Sequence, residues 1–389
     1  MTQLQQPLSG GTTRQYICPE TVSGVLNTNP AFEQLVITGG SPNLTRDTLQ
    51  DATLNGSREL TGVYAGSKSV SGEYAGNLTV GTSQRMIESA LQTTKVAGIS
   101  ISSVDVTVDA TLKTYTRATG DFVADGVEVG NLIRFAGMSG FNSRSAKVTA
   151  VNALVVTVGE VVKTLTNETL TVDYKIGAKY EVGSECKSFS ILTWFGGRCG
   201  TQDRYLLSTG VEFTGFTFQS DINSMMTFSF PFLGLNQEVL EALPAGATYA
   251  DAVNERKFDG QAGFLSVDGV VAPYTAFTST LDGQASQQYE INDQDGASFI
   301  EYGQISNSVS MSAYLRDLIL HGKFTSNTAV LATSIQECEK GAMSFTYKTL
   351  FLSESGIDIS SALSIPQSIS GTAVGDANNS SIIIQEIEY

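Results

Sequence analysis

Several residue types on which enzymes depend are scarce in this sequence. Its 389 residues include a single histidine, His321, which lies beside Gly322. A Ser-His-Asp or Cys-His site would have to use that one imidazole, whereas a histidine at the end of a predicted helix is an ordinary cap. No segment has the residue order of a phosphate-binding or calcium-binding loop. The sequence therefore contains no enzyme motif and predicts neither a cofactor nor a metal.

Cysteines and long apolar runs are scarce as well. The four cysteines, Cys18, Cys186, Cys199 and Cys338, have no CxxC spacing, which favours free thiols in a reducing cytoplasm. No apolar run reaches the roughly 18 residues that a transmembrane helix needs. The first residues lack the basic and apolar regions of a signal peptide. We therefore expect no membrane span and synthesis in a cytoplasm.

Basic residues are few, and the charge is unevenly distributed. The formal net charge is −16, from 39 acidic and 23 basic residues. Residues 181–389 hold 24 of the acidic and nine of the basic residues, a net charge of −15, which leaves −1 for residues 1–180. An acidic surface repels phosphate groups, so specific nucleic-acid binding is not expected. The same repulsion would suit a conduit through which DNA slides.

What the sequence does contain is β-strand patterning. In residues 69–80, SVSGEYAGNLTV, apolar residues or glycines alternate with small or polar ones, which predicts a strand with one buried face. Residues 304–313 alternate in the same way. Short helical patterns follow these segments, at 82–92 and at 314–321, where Gly322 fits a helix stop. This order indicates an internal duplication, although a strand followed by a helix also recurs by chance.

Composition divides the rest of the chain. Residues 99–175 are short β-runs broken by Gly and Asn, which predict an inserted small β domain, a barrel or a sandwich. Residues 1–13 and 39–62 are polar and predict an N-terminal arm and a long loop. The remaining segments, 14–98 and 176–389, then form a mainly β core with one or two short helices.

Three segments, taken in order, resemble the major tail tube proteins of bacteriophages with long, non-contractile tails. They are residues 32–91, beginning FEQLVITGGSPNL, residues 188–234, from SFSILTWF to MTFSFPFLG, and residues 308–351, from SVSMSAYL to MSFTYKTLF. The resemblance implies a β-sandwich or barrel core whose long strands join neighbouring subunits into a multi-subunit β-barrel. Such rings are usually six-membered, and they stack into a hollow tail through which DNA leaves the virion.

The resemblance also implies partners and contact residues. The partners would be further copies of the chain, the tape measure, tail terminator and distal tail proteins, and DNA that passes without specific binding. The arm and the long loop would bridge subunits, which makes contact candidates of Arg46, Asp47, Asp51, Arg58 and Glu59. The polar faces of the alternating strands supply candidates for the lumen wall, namely Glu73, Asn77, Thr79, Ser306, Ser308, Ser310 and Ser312.

Two other functions stay open on the sequence alone. One is an adhesive or carbohydrate-binding component of a virion or cell surface, with the inserted domain as its binding part. Such a function predicts aromatic residues clustered on exposed loops, and the insert has few, chiefly Tyr115, Phe122, Phe135 and Phe141. The other is an enzyme with a carboxylate pair among the 39 acidic residues. The tail tube interpretation is favoured because separate strands share a small, polar face in which basic residues are scarce.

Overall fold

The structure of the chain, a computed structural model, consists mainly of β-strands with short helices, which confirms the predicted fold class. It describes twelve stretches of the chain, and all statements on structure refer to them. These are residues 10–51, 62–159, 165–197, 202–252, 257–259, 263–268, 270–272, 274–291, 296–316, 318–359, 365–376 and 379–389.

The first part of the chain forms strands on either side of an inserted barrel. Before the barrel come a 3-10 helix (Gly10–Thr12), β1 (Thr13–Pro19), β2 (Ala31–Gln34), β3 (Gly39–Gly40), β4 (Asn43–Gln50), β5 (Val63–Asn77) and helix α1 (Gln84–Ala90). The barrel strands are β6 (Ile99–Asp109), β7 (Thr114–Arg117), β8 (Leu132–Ala136), β9 (Ala146–Val151), β10 (Val155–Val158) and β11 (Glu168–Ile176), with a 3-10 helix at Gly140–Ser143. After the barrel come β12 (Ala178–Glu181), β13 (Phe189–Phe195), β14 (Arg204–Phe213), β15 (Gly215–Asp221), β16 (Thr227–Gly234), β17 (Asn236–Leu240) and β18 (Thr248–Ala250).

The second part of the chain has no inserted barrel. Its elements are β19 (Gly263–Val267), β20 (Val270–Ala272), β21 (Tyr274–Asp282), β22 (Ser286–Gln288), β23 (Phe299–Glu301), β24 (Ser306–Tyr314), helix α2 (Ile319–Thr325), β25 (Val330–Cys338), β26 (Gly341–Ile357), β27 (Pro366–Ala373) and β28 (Ile383–Glu388).

The largest layer is an antiparallel sheet that we call the long sheet. Its eight strands pair in the order β4–β5–β16–β15–β21–β24–β27–β26. The alternation predicted for residues 69–80 is visible in β5, where Val70 and Tyr74 are buried and Glu73 is exposed. The strand starts earlier than predicted, at Val63, because it continues to pair with β4.

Smaller groups of strands cover the apolar face of the long sheet. One contains β2, β1, β13, β14 and β17, and the other contains β20, β19, β25, β26, β28 and β12. Strand β14 belongs to a covering group and continues as β15 in the long sheet. Strand β26 belongs to both layers in the same way. Between the layers lies a continuous core rich in aromatic rings, in which Phe218 of the first part lies 5.1 Å from Phe345 of the second, between ring centroids.

The same pairing scheme occurs twice in the chain. The first repeat contains β1, β2, β4, β5, α1, β13, β14–β15, β16 and β17, and the second contains β19, β20, β21, β24, α2, β25, β26, β27 and β28. In both repeats the long strand carries one extra residue at two matching places. At the first place, Ile191 pairs with Ser208 and Phe189 pairs with Val211, so the long strand has one residue more than its partner. The second repeat shows the same shift between the pairs Ala332↔Tyr347 and Val330↔Leu350. The second place lies at Thr214, matched by Ser353.

Two local predictions were wrong. Residues 39–62 were expected to form a loop, but β3 and β4 occupy much of this stretch because they pair with β5. Residues 52–61 lie outside the described part, as do residues 1–9 of the predicted arm. The second helix was expected at 314–321, but β24 continues through Tyr314, which pairs with Pro366. Helix α2 therefore starts at Ile319, and Gly322 lies inside it.

The inserted barrel is closed and has its own core. Its six strands pair in the order β10–β7–β6–β11–β8–β9, and they enclose a separate apolar cluster. The barrel packs against the C-terminal strands through polar contacts: Arg144 forms an ion pair of 2.8 Å with Glu337, and Lys175 Nζ donates to the carbonyl of Glu388 at 2.8 Å. The guanidinium of Arg134 lies 3.4 Å from the ring centroid of Tyr389. These contacts attach the barrel to the covering strands.

Candidate tube-wall surface

One face of the long sheet points away from the core, and we call it the polar face. It is continuous because residues of the same parity oppose each other in every strand pair. Its members are Asn43, Thr45, Ser69, Ser71, Glu73, Ala75, Asn77, Gly215, Thr217, Gln219, Asp221, Thr227, Ser229, Pro231, Leu233, Ala276, Thr278, Thr280, Asp282, Ser306, Ser308, Ser310, Ser312, Tyr314, Phe351, Glu354, Gly356, Pro366, Ser368, Ser370 and Thr372. None of these is Lys or Arg, and four are acidic.

The short side chains of the polar face hydrogen-bond across the strands. Ser229 Oγ donates to Glu73 Oε1 at 2.5 Å, which joins β16 to β5. The hydroxyls of Thr217 and Thr280 lie 3.2 Å apart, which joins β15 to β21. Such bonds hold small polar groups close to the backbone of the sheet, so few long side chains project from the face.

The structure brings six of the seven lumen candidates onto this face. Four of them are exposed and two are half-buried: Glu73, Ser306, Ser308 and Ser310, and Asn77 and Ser312. Their two strands, β5 and β24, occupy matching places in the two repeats.

The remaining lumen candidate, Thr79, was wrong. Its side chain is only 1% exposed, because β5 ends at Asn77 and the chain then turns into the core. The hydroxyl of Thr79 donates to the carbonyl of Asn77, and the neighbouring Leu78 and Val80 are also buried. The alternating pattern therefore continues in the sequence beyond the end of the strand.

Sequence reasoning did not assign β15 to the polar face, and it missed β21 and β27 as strands. The segments GFTFQSD, TAFTSTLD and QSISGT alternate apolar and polar residues over β15, β21 and β27. Their period of two was the available signal, but each alternating run is short and interrupted by Gly or Ala. Cross-strand pairing, which sequence does not show, is what adds them to the face.

A buried carboxylate lies at the end of this surface. Glu212 in β14 is buried, and burial raises its pKa to about 7, while a hydrogen bond from Tyr302 acts in the opposite direction. The charge of Glu20 raises the pKa slightly further. Its counterpart in the second repeat is Phe351, so this acid belongs to the first repeat alone.

The predicted inter-subunit loop is in part a projecting β-arm, formed by β4 and residues 63–69 of β5. All of β4 is exposed, including the contact candidates Arg46 and Asp47. Asp51 is half-buried just after β4, and its N–H donates to the carbonyl of Gly62 at 2.9 Å. The candidates Arg58 and Glu59 lie outside the described residues.

The β-arm also exposes apolar side chains. Leu44, Leu49, Val63 and Tyr64 all have large exposed fractions. An exposed, apolar edge strand promotes pairing with another chain. The arm therefore combines the contact candidates Arg46 and Asp47 with exposed apolar side chains, and its contact with another subunit stays a prediction.

The aromatic residues of the barrel do not form an exposed platform. Tyr115, Phe122 and Phe135 are buried in the barrel core, and Phe141 packs against it. The rings of Tyr115 and Phe135 stack at 4.2 Å between centroids. These four residues therefore do not support carbohydrate binding by the barrel.

Together, the doubled β-sandwich and the smooth polar face define a structural subunit built around a long sheet. The chain belongs to the phage tail tube protein family, whose family model matches residues 10–383. This is a family of structural components of the virion tail that assemble into a tube with other tail proteins. The comparison with curated proteins gives no match.

No helix among the described residues is long and apolar enough to cross a membrane. Within the same stretches, no three His, Cys, Asp or Glu side chains are grouped so that they could hold a metal ion.

Proposed function

We propose that the chain polymerises into stacked, six-membered rings that form the hollow tube of a phage tail, and that the polar face of the long sheet lines the lumen through which DNA is ejected. The observation that carries this proposal is the composition of the polar face, which combines Ser, Thr and Asn with four acidic residues and contains no Lys or Arg.

The absence of cations from this face suits DNA that must move. Each Lys or Arg that neutralises a phosphate releases counterions and so adds to the affinity for DNA. A wall that carried such residues would hold the duplex at many points along the tail. Carboxylates such as Glu73 and Asp282 instead repel phosphates, and the hydroxyls of the face keep it hydrated.

The position of the barrel suits the outside of such a tube. It attaches through Glu337 and Tyr389 to covering strands, on the opposite side of the core from the polar face. With the polar face inward, the barrel faces outward. We therefore propose that residues 99–175 form an inserted domain on the outer surface, and that residues 14–98 and 176–389 form the tube core.

We propose the remaining partners from the resemblance to the tail tube proteins of long-tailed phages. In the proposed assembly, the ends of the tube contact the tail terminator and distal tail proteins, and the lumen holds the tape measure protein before DNA passes. Synthesis takes place in the cytoplasm of the host bacterium, and the protein then becomes part of the virion.

Electron microscopy of the purified protein at increasing concentration tests the assembly. Rings or tubes are the expected result, with the barrels as outer projections. Monomers that stay dispersed at all concentrations and bind glycans would instead favour the adhesive alternative.

A lysine placed on the polar face tests the role of that face. We expect assembled Ser310→Lys tubes to bind duplex DNA, and we expect added salt to weaken this binding, because the new ammonium groups release counterions. Wild-type and Ser310→Glu tubes, measured in the same fluorescence anisotropy titration, should bind little. Tight, salt-sensitive binding by wild-type tubes would contradict an inward polar face.

A further inference from the structure

We propose that neighbouring copies in the ring join by pairing β4 of one copy with residues 351–357 of β26 in the next, in the way that β21 and β15 join the two repeats inside one chain. This inference rests on the proposed ring. It specifies which edges meet, in which direction and in which register.

The two edges lie at opposite ends of the long sheet. Strand β4 pairs with β5 on one side, and no described strand pairs with its other side. Strand β26 pairs with β27 over residues 350–357, while β25 covers its other side only as far as Leu350. Within the described residues, the long sheet therefore ends in two edges that a second copy can fill.

The junction inside the chain is the template for the junction between chains. Strand β15 of the first repeat pairs antiparallel with β21 of the second, from Gly215↔Asp282 to Asp221↔Ala276. The counterpart of β15 is the end of β26, and the counterpart of β21 is β4 with the residues just before it. Adjacent strands of the long sheet are antiparallel throughout, so a second copy placed beside β26 also brings its β4 in antiparallel.

The template gives the register. The pair Thr45↔Ser69 of the first repeat occupies the same place as the pair Asp282↔Ser306 of the second. Glu354 comes directly after the extra residue Ser353, and Gly215 comes directly after the matching extra residue Thr214. The pair Gly215↔Asp282 thus becomes Glu354↔Thr45 between chains. Pro42 has no N–H to donate, so the ladder begins beside it and continues through Leu44 and Arg46.

The two helices carry a second, independent observation. In α1 of the first repeat, Met86, Ile87 and Ala90 are buried. The turn before α1 contacts the second repeat, since the N–H of Gly81 donates to Glu386 Oε1 at 2.6 Å. At the matching place in the second repeat, Leu318 is 59% exposed and Ile319 is 64% exposed. The second repeat therefore exposes apolar residues next to the turn that, in the first repeat, contacts the neighbouring repeat.

The complementary surface is exposed in the first repeat. Ile384 of β28 is 0% exposed in the shared core, and its counterpart in the first repeat, Val239 of β17, is 73% exposed. A second copy that repeats the internal junction places its Val239 near Leu318 of the first copy. Both apolar surfaces would be buried by the same contact, which makes the contact head-to-tail and able to close a ring.

The repeat also changes the number of chains in a ring. The family resemblance implies rings of six members. In the proposed ring each repeat serves as one of the six members, so three chains supply all six. The internal junction and the junction between chains then alternate around the ring.

Disulfide cross-linking tests the register. The chain carries Thr45→Cys and Glu354→Cys, with Cys186 and Cys199 replaced by Ser. Cross-strand neighbours have Cβ atoms about 4.5–5.5 Å apart, close to the range of about 3.5–4.5 Å that a disulfide needs. We expect assembled rings to give cross-linked oligomers on a non-reducing gel, with the ladder ending at three chains.

The matched control moves one cysteine to the next strand, as Thr45→Cys with Ser368→Cys. Both Glu354 and Ser368 are exposed on the polar face, but two strand spacings of about 4.8 Å separate Ser368 from the proposed partner. We expect little cross-linking in this control. Equal cross-linking in both variants, or none in assembled tubes, would overturn the proposed pairing while the tube itself stands. A failure of either variant to form any tube under the microscope would count against the proposed function instead.

Discussion

The two repeats share a pairing scheme but differ in what covers them. The helix of the first repeat is buried, whereas α2 of the second contains no buried residue. The first repeat meets the second through β15 and β21, but the corresponding edge of the second repeat has no partner strand in the described chain. The edge of the first repeat is thus paired within the chain, whereas the matching edge of the second repeat is open in the described residues. This difference supports the proposed contact between copies.

The repeats also differ in how they fill matching places of the core. One pair of matching buried positions in the long sheet is Tyr74 in β5 and Met311 in β24. Tyr74 stacks on Phe232 at 4.8 Å between ring centroids, and its ring lies over Gly40. A flat ring beside glycine covers bare backbone, whereas a methionine fills an irregular space between other side chains.

The largest effect is expected from truncating this pair. Tyr74→Ala removes a fully buried ring and should lower the free energy of unfolding by about 3–5 kcal/mol. Met311→Ala should cost less, at the lower end of about 2–5 kcal/mol, because its removal leaves a smaller cavity. Urea denaturation of both variants measures the difference. An equal loss in the two variants would mean that the ring over Gly40 adds nothing beyond its volume.

A smaller effect is expected at Glu212, which only the first repeat contains. Its folded pKa of about 7 lies above its ordinary value of 4.5 because the side chain is buried. The folded state then binds more protons, so the contribution of Glu212 to stability is greatest below about pH 4.5 and is lost as the pH rises through about 7. Glu212→Gln should raise the free energy of unfolding at pH 8 by about 3 kcal/mol and leave it nearly unchanged at pH 4.

A Glu212→Gln profile parallel to that of the wild type from pH 4 to pH 8 would show that Glu212 does not bind the additional proton.

Assembly should respond to a change at the exposed helix. Leu318 is the N-cap residue of α2 and makes no capping hydrogen bond, so Leu318→Asp adds a favourable cap while it removes an apolar contact. We expect an unfolding free energy equal to or slightly above that of the wild type and a critical concentration for tube formation raised tenfold or more. Light scattering and microscopy measure the latter.

The barrel offers a matched variant, Leu112→Asp, because Leu112 is 65% exposed outside the proposed contact. Its tubes should form as in the wild type. Similar critical concentrations for the two variants would remove α2 from the interface between copies.

The smallest effect concerns the hydroxyl of Tyr74. It is buried, and none of the described residues forms a hydrogen bond with it. A buried polar group that forms no bond lowers stability. Tyr74→Phe should therefore raise the free energy of unfolding by about 1 kcal/mol, as the apolar Met311 at the matching place suggests. A loss of stability in this variant would show that the hydroxyl does have a partner.

Much of the polar face could be predicted from sequence. The alternation in residues 69–77 and 306–312 indicated the correct face because strand geometry gives neighbouring residues opposite directions. The prediction failed at Thr79 and at residues 314–318, because the alternating pattern does not show where a strand ends. It also failed at β4, whose partner β5 makes a strand of a segment that looks like a loop.

The sequence by itself determined the mainly β fold, the shortage of cations on the alternating strands and the resemblance to tail tube proteins, since these depend on composition and on a local period of two. Only the tertiary structure decided that eight strands share one polar face, that Glu212 is buried, and that the second repeat lacks the cover that the first one has. These properties depend on which distant segments pair. Pairing is set by the packing of the whole core, which no local pattern records.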